Sequence, residues 1–162
     1  MNLVPFWHRG LGLVMYLLPW SHALMFSRPF FGLGLVPPPL QVALILPALP
    51  VNWISGLLPL GLGSLLLFLV LFLAVVRNPR VPYFLRFNAL QAILVDILLM
   101  VAGYGMAIFG CRPGSGGGFT CDTFSNTLFL GSLLLVLFAA VECFRGREPE
   151  VPSLSDAVRL QL

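Results

Sequence analysis

The stretch RNPRVPYFLR at 77–86, followed by FNALQAILVDILLMVAGYGMAIF at 87–109, decides the fold. The second part holds 23 residues and a single charge, Asp96. At ~1.5 Å per residue it outreaches a ~30 Å hydrocarbon core, so it reads as a membrane-spanning helix. Three arginines, Arg77, Arg80 and Arg86, crowd its entry. The rest of the chain has the same character. Of 162 residues 59% are hydrophobic and 9% charged, with a mean hydropathy of +0.97. Nine basic side chains, all arginine, and six acidic ones cannot cover a water-soluble globule, whose chains are ~25% charged. A soluble enzyme domain, a nucleic-acid binder and a disordered chain are excluded. The pI near 9.1 does not indicate nucleic acid, because the arginines are dispersed between apolar runs.

Three further segments reach spanning length without a formal charge: 10–27, 57–76 and 123–141. The interval between the first and second is ambiguous. Residues 40–51 are apolar but number only 12 and contain Pro47 and Pro50, behind Pro37-Pro38-Pro39. Proline breaks interior helical bonding, so this stretch is expected to be an interfacial or re-entrant segment. The expected architecture is all-α: a single four-helix transmembrane domain over 1–162, with a tail at 145–162. Five spans is the alternative. The run His8-Arg9, the apolar 11–18 and Ser21-His22-Ala23 imitate a cleavable signal peptide; we read them as a retained first span.

Arginine placement orients the spans. With both termini cytoplasmic, Arg9, Arg77, Arg80, Arg86, Arg145, Arg147 and Arg159 lie inside and only Arg28 and Arg112 outside, a positive-inside bias. A five-span arrangement exchanges Arg9 for Arg28 and scores the same. Arg77, Arg80, Arg86, Arg145 and Arg147 are therefore the anchors common to both. The outer loop between spans three and four is glycine-rich and reads as a flexible connector. Cys111 and Cys121 bracket it. Two readings stand for them, a disulfide on an oxidising face or a pair of free thiols.

Catalytic motifs are missing. A chain without lysine has no Walker loop, and its Gly-x-Gly pairs, such as 10/12, 32/34 and 61/63, do not extend to a dinucleotide fingerprint. His8 and His22 are the only histidines, and no His/Cys/acid cluster has metal-ligand spacing. No enzyme activity, cofactor or metal is expected. The polar residues of span three are more informative. At ~100° per residue, Asn88, Gln91, Ala92, Asp96 and Gly103 fall within an arc of about 140°, a face that should meet protein or water. Asp96 lies nine residues after Phe87, ~13.5 Å into the span and near the bilayer midplane. Every arginine sits near a boundary, so no ion pair is expected. Burial then favours the neutral acid as a hydrogen-bond donor. The carbonyl of Met15, freed by Pro19, is a candidate acceptor. An interhelical clasp and a transport-path lining are the two roles considered for it. In the tail, Ser153-Leu154-Ser155-Asp156 resembles a capping box, and Leu154, Val158 and Leu162 follow at helical spacing, as for a short helix on the membrane surface.

Arg77 through Ile97 resembles the central motif of one membrane family. It is the family of the twenty-kilodalton subunit of the translocon at the inner chloroplast envelope, and the likeness is closest to its cyanobacterial members. Residues 125–131 (SNTLFLG) and the tail, Arg145 to Pro149 and 155–162, resemble the family as well. The resemblance implies four helices with both ends on the stromal or cytoplasmic side. It also implies a role in protein translocation, with translocon subunits, further copies of itself and precursor polypeptides as partners beside the lipid bilayer. It carries no catalytic residues over. The apolar N-terminus, lacking a Ser/Arg-rich presequence, is expected of a bacterial or plastid-encoded member. The expected location is the inner (plasma) membrane of a cyanobacterium-like cell, with thylakoid or plastid inner envelope as alternatives. A non-conducting structural or assembly factor of a photosynthetic-membrane complex is the competing function.

Overall fold

A computed structural model describes residues 4–58, 62–111, 118–151 and 154–162, and no strand occurs among them. The first helix is a rod over Phe6–Gly32, made of α1 (Phe6–Met15), α2 (Leu17–Ala23), a 3-10 turn at Leu24–Phe26 and α3 (Ser27–Gly32). Pro19 lacks an N–H, so the helix cannot bond back to residue 15. The rod accordingly breaks at Tyr16, and α-helical bonding resumes with the Trp20 N–H donating to the Tyr16 carbonyl at 3.1 Å.

The two longest helices, α7 (Tyr83–Ile108) and α8 (Phe119–Arg145), flank this rod. Both α1 and α2 pack on α7 and on α8, which meet mainly through them. The register with α7 is parallel: Gly12 lies against Phe84 and Asn88, and Gly103 against Phe26. With α8 it is antiparallel, because the Arg9 Nη1 donates to the Phe144 carbonyl at 3.1 Å. The start of the first helix therefore lies beside the end of α8, and an even number of passages separates them. At this Arg9 end Gly146 closes α8 in the left-handed region (φ 71°). The Arg147 and Gly146 N–H groups there return to the carbonyls of Glu142 and Cys143, a Schellman stop that glycine makes without strain. At the opposite end the sulfurs of Cys111 and Cys121 are bonded, with Cα atoms 5.4 Å apart.

Between these pieces the chain must return from the disulfide end to the Arg9 end. Helix α6 (Leu62–Leu71), continued by a π-turn at Phe72–Val76, makes that passage. Ser64 and Leu65 share a cleft with Gly103 and Tyr104, whereas the Val76 carbonyl accepts from Arg86 Nε at 2.9 Å. Gly63–Val76 is short for a spanning helix, and among the described residues the four helices long and apolar enough to cross are Phe6–Gly32, Pro38–Gly56, Tyr83–Ile108 and Phe119–Arg145. The proline-rich segment is thus more extensively helical than the expected 40–51. Its prolines sit where helices tolerate them: Pro38 and Pro39 open α4 (Pro38–Ile45), Pro47 lies in a 3-10 turn at Leu46–Ala48, and Pro50 is in the first turn of α5 (Leu49–Gly56). It starts a few residues after α3 and ends against the start of α6, so both its ends belong to the disulfide half. The Leu44 carbonyl accepts the Trp20 indole N–H at 2.8 Å, and Ala48 is buried beside Trp20 and Ala23.

The core is a chain of apolar clusters along the first helix. Phe129 of α8 meets Trp20, Phe30 and Phe31 with ring centroids 5.8, 5.6 and 5.5 Å away. Tyr16 is enclosed with Phe84, Ala92 and Ala139. The outward faces, including Leu66, Val70, Leu98, Val101 and Leu134, are exposed and apolar, as a surface solvated by lipid must be. The tail differs from the surface helix expected of it. Helix α9 (Leu154–Gln161) docks on α7, with Val158 fully buried against Phe87, Leu90 and Ile93. The expected cap, Ser153, lies outside the described residues. Ser155 and Val151 are joined twice instead, Val151 N–H to Ser155 Oγ at 2.7 Å and Ser155 N–H to Val151 O at 2.9 Å.

Helices α5 and α6 touch backbone to backbone. A Cβ at Gly63 would lie 2.2 Å from the Ser55 carbonyl oxygen, whereas one at Gly10 meets nothing within 4 Å. Gly63→Ala is expected to lower the apparent stability of the detergent-solubilised protein by ~1–3 kcal/mol through overpacking. Gly10→Ala should be neutral or stabilise by up to ~1 kcal/mol. Thermal unfolding followed by circular dichroism compares the two; equal melting temperatures for both variants would contradict the close approach.

Candidate functional site

The polar face read from span three points inward. Asn88, Gln91, Ala92 and Asp96 are all buried, and each copes differently with an environment that offers no water. Asn88 lies opposite Gly12. Its Nδ2 donates to the Phe84 carbonyl of the preceding turn at 2.7 Å, and its Oδ1 accepts from the Cys143 thiol at 3.2 Å. Gln91 is fully buried, and neither amide atom meets a hydrogen-bond partner among the described residues. The hydroxyl of Tyr16 is in the same condition.

Asp96 has a partner that sequence reasoning passed over. Its Oδ1 is 2.5 Å from Nδ1 of His22, which is 74 positions away in the chain. The expectation that no basic group reaches Asp96 considered only arginines and is corrected here. The Met15 carbonyl is likewise not its partner in the structure. His22 stands seven residues beyond Met15, ~10 Å farther along the rod, at the level of Asp96. The only prior signal was a histidine inside an apolar run. The Asp96 side chain is 3% exposed and that of His22 21%.

The exposed part of His22 forms one wall of a laterally open cleft of about 560 Å³, within the ~300–1,000 Å³ typical of binding pockets. Phe26, Ser64, Phe68, Met100 and Tyr104 line the remainder together with other apolar residues. The cleft therefore combines mainly apolar walls with the imidazole of His22 and the hydroxyls of Ser64 and Tyr104. Among the described residues no group of three His, Cys, Asp or Glu side chains could hold a metal ion.

The arginine anchors do not join this seam. Arg86 holds the π-turn through Val76, Arg145 pairs with Glu142 at 3.0 Å, and Arg77, Arg80 and Arg147 are exposed near the Arg9 end. Arg9, which the sequence offered only as a positive charge, supplies a cation to the carbonyl terminus of α8. In the tail Arg159 pairs with Glu150 and lies 3.7 Å from Glu148. Burial pushes the Glu148 carboxyl above the usual carboxylate range, against the opposing pull of Arg159.

Two thermal-unfolding measurements test these assignments. In a cycle of His22→Leu, Asp96→Leu and the double variant, the double should lose less than the sum of the singles. The expected coupling is ~1–2 kcal/mol, the range of interhelical hydrogen bonds in bilayers; strict additivity would refute the pair. Gln91→Met should raise apparent stability by ~1–2 kcal/mol, since it removes unpaired buried polar atoms at similar volume. A loss of stability would mean that the amide has a partner.

Sequence likeness to known proteins extends along nearly the entire chain. The family described as chloroplast import apparatus Tic20-like matches residues 3–158. A Tic20 family protein of Synechocystis sp. is 37% identical over 149 residues, covering 92% of this chain and 89% of the relative. Protein TIC 20-II, chloroplastic, of Arabidopsis thaliana is 30% identical over 165 aligned positions, covering 98% of this chain and 74% of the relative. Protein TIC 20, chloroplastic, of Pisum sativum is 28% identical over 160 positions, covering 96% and 59%. The match takes in the first helix, the arginine-flanked α7 and the tail alike, and the chain belongs to the Tic20-like family.

Proposed function

We propose that this chain is a membrane subunit of a protein-translocation apparatus and that its lateral cleft borders a polypeptide path. Family membership supports the translocation role. The cleft is the observation that carries the finer reading. The centre of the protomer is filled by Tyr16, Phe87 and Phe129, all fully buried, so a polypeptide would pass beside one protomer and not through it. A cleft opening sideways, with apolar walls and the single histidine His22, suits an apolar segment leaving an aqueous route for the bilayer. Completing a path around it requires further subunits or a second copy. The charge bias supports an orientation with the Arg9 end, and so both termini, in the cytoplasm. We place the protein in the inner (plasma) membrane of a cyanobacterium-like cell; thylakoid and plastid inner envelope are the alternatives.

The second reading, a non-conducting assembly factor, draws on the outer surface of Pro38–Gly56. Trp53 there is 71% exposed, and Val42, Leu46 and Leu49 are exposed with it, a surface suited to another membrane subunit. Site-specific photocrosslinking separates the readings. A photoreactive residue replaces Met100 in the cleft or Leu134 on the lipid-facing side of α8, and a precursor is arrested in transit in native membranes. Precursor adducts are expected from position 100 and not from 134. Adducts only to stable membrane-complex subunits would favour the assembly factor, and equal labelling from both positions would remove the cleft from the path.

A further inference from the structure

We propose that His22 and Asp96 form a proton-operated latch, in which one exchangeable proton holds the first helix against α7 and its loss or doubling loosens the cleft wall. This inference stands on the geometry of the pair and does not require that the protein conduct a polypeptide.

The two side chains meet through Nδ1 and Oδ1 at 2.5 Å. With one proton shared between them they are imidazolium beside carboxylate or imidazole beside carboxylic acid, and either form is neutral overall. Passing that proton to water in the cleft leaves a neutral imidazole beside a bare carboxylate, with one net negative charge. Accepting a second proton from hydronium leaves imidazolium beside carboxylic acid, with one net positive charge. Neither charged form is tolerated where it stands. Asp96 is enclosed by its neighbours, and a net charge in an apolar interior costs several kcal/mol unless it gains water or a counter-ion.

Among the described residues, the hydrogen bonds and ion pairs of Asp96 name no partner but His22. Helix α5 and the turn at Leu46–Ala48, both against α2, contain no titratable residue. The cleft lining adds only Tyr104 to His22. The acids and arginine of α8 lie toward its termini, at Asp122, Glu142 and Arg145, and Cys143 is engaged with Asn88. Tyr16, one and a half turns before His22, is enclosed by Phe84, Ala92 and Ala139. Relief must come from water, and the partly exposed face of His22 places the pair at the wall of the one described cleft that reaches it. The hydrated state therefore separates α2 from α7 at this level. Histidine is suited to such a device, because its charge changes between about pH 5 and about pH 8.

The test uses the full chain in lipid vesicles, with spin labels on Met25→Cys and Met100→Cys. Both positions line the cleft and are exposed, whereas the native Cys143 is buried and Cys111 and Cys121 are bonded to each other. Pulsed dipolar distances are recorded between about pH 5 and about pH 9. The expected result is a shift of about 2 Å or more, the scale of helix displacements in switching proteins, together with a broadened distribution. The ring nitrogens of His22, followed by NMR in a His8→Gln background, should titrate with the same midpoint. His22→Gln with Asp96→Asn keeps two neutral hydrogen-bonding side chains, removes both proton sites and is expected to flatten the distance profile. Wild-type distances that stay constant across this range overturn the latch. So does a His22→Gln, Asp96→Asn variant that shifts like wild type, because the proton would then bind elsewhere. Should the variants fail to fold, the wild-type distance and ring-nitrogen midpoints decide, and their disagreement counts against the proposal.

Discussion

Hydrocarbon cannot hydrogen-bond, and that constraint organises this bundle. Helix α7 carries Asn88, Gln91 and Asp96 at depths where lipid would leave them unsatisfied, so that face has to be covered by protein. The first helix provides the cover. It gives Asn88 the space beside Gly12, sets Tyr16 between α7 and α8, and brings His22 to Asp96. Its other side receives Phe129 and the rest of α8. The remaining elements follow from that placement: the π-turn, with Phe68 and Leu71 of α6, packs on a second face of α7, and α9 docks beside it.

Much of this was legible from the residues because the relevant signals are local. Apolar run lengths and flanking arginines mark α7 and α8, and a simple angular count places Asn88, Gln91 and Asp96 on one side of α7. Pro19 foretells the break in the first helix. The His22–Asp96 pair was not legible, since nothing local couples positions 74 residues apart. Their meeting depends on the parallel register of two helices and on a kink that sets the level of His22. The proline-rich segment was misjudged in extent for a different reason. Proline forbids a continuous α-helix but permits short ones in series, and Pro38, Pro47 and Pro50 each fall in the opening of a new helical turn. The tail was read correctly as a helix with an apolar stripe. Periodicity, however, gives no hint whether such a stripe meets lipid or, as Val158 does, the side of α7.

The polar seam is not arranged for maximal stability. A bundle built only to pack would place an apolar side chain at position 91 instead of an amide that meets no partner among the described residues. Polar groups inside membranes join helices, and the ionisable ones among them mark proton and ion pathways. The seam also lies next to the open cleft, so polarity and access coincide. Membership of the Tic20-like family gives that coincidence its biological setting, and the apolar flank at Pro38–Gly56 gives the protomer a surface on which an assembly can be built.

The central position of the first helix also bears on the order of synthesis. It leaves the ribosome before its two neighbours, α7 and α8, and Arg9 finds the Phe144 carbonyl only when 135 further residues have followed. Until residue 96 is inserted, His22 waits in the bilayer without its carboxylate, and the rod is a provisional resident with its permanent contacts still unmade. Assembly of the membrane helices is therefore a closing of later helices upon an earlier one, in which α8 locks what α1 started. The first helix, inserted before α7 and α8, is a natural client for whatever holds unfinished helices in a membrane.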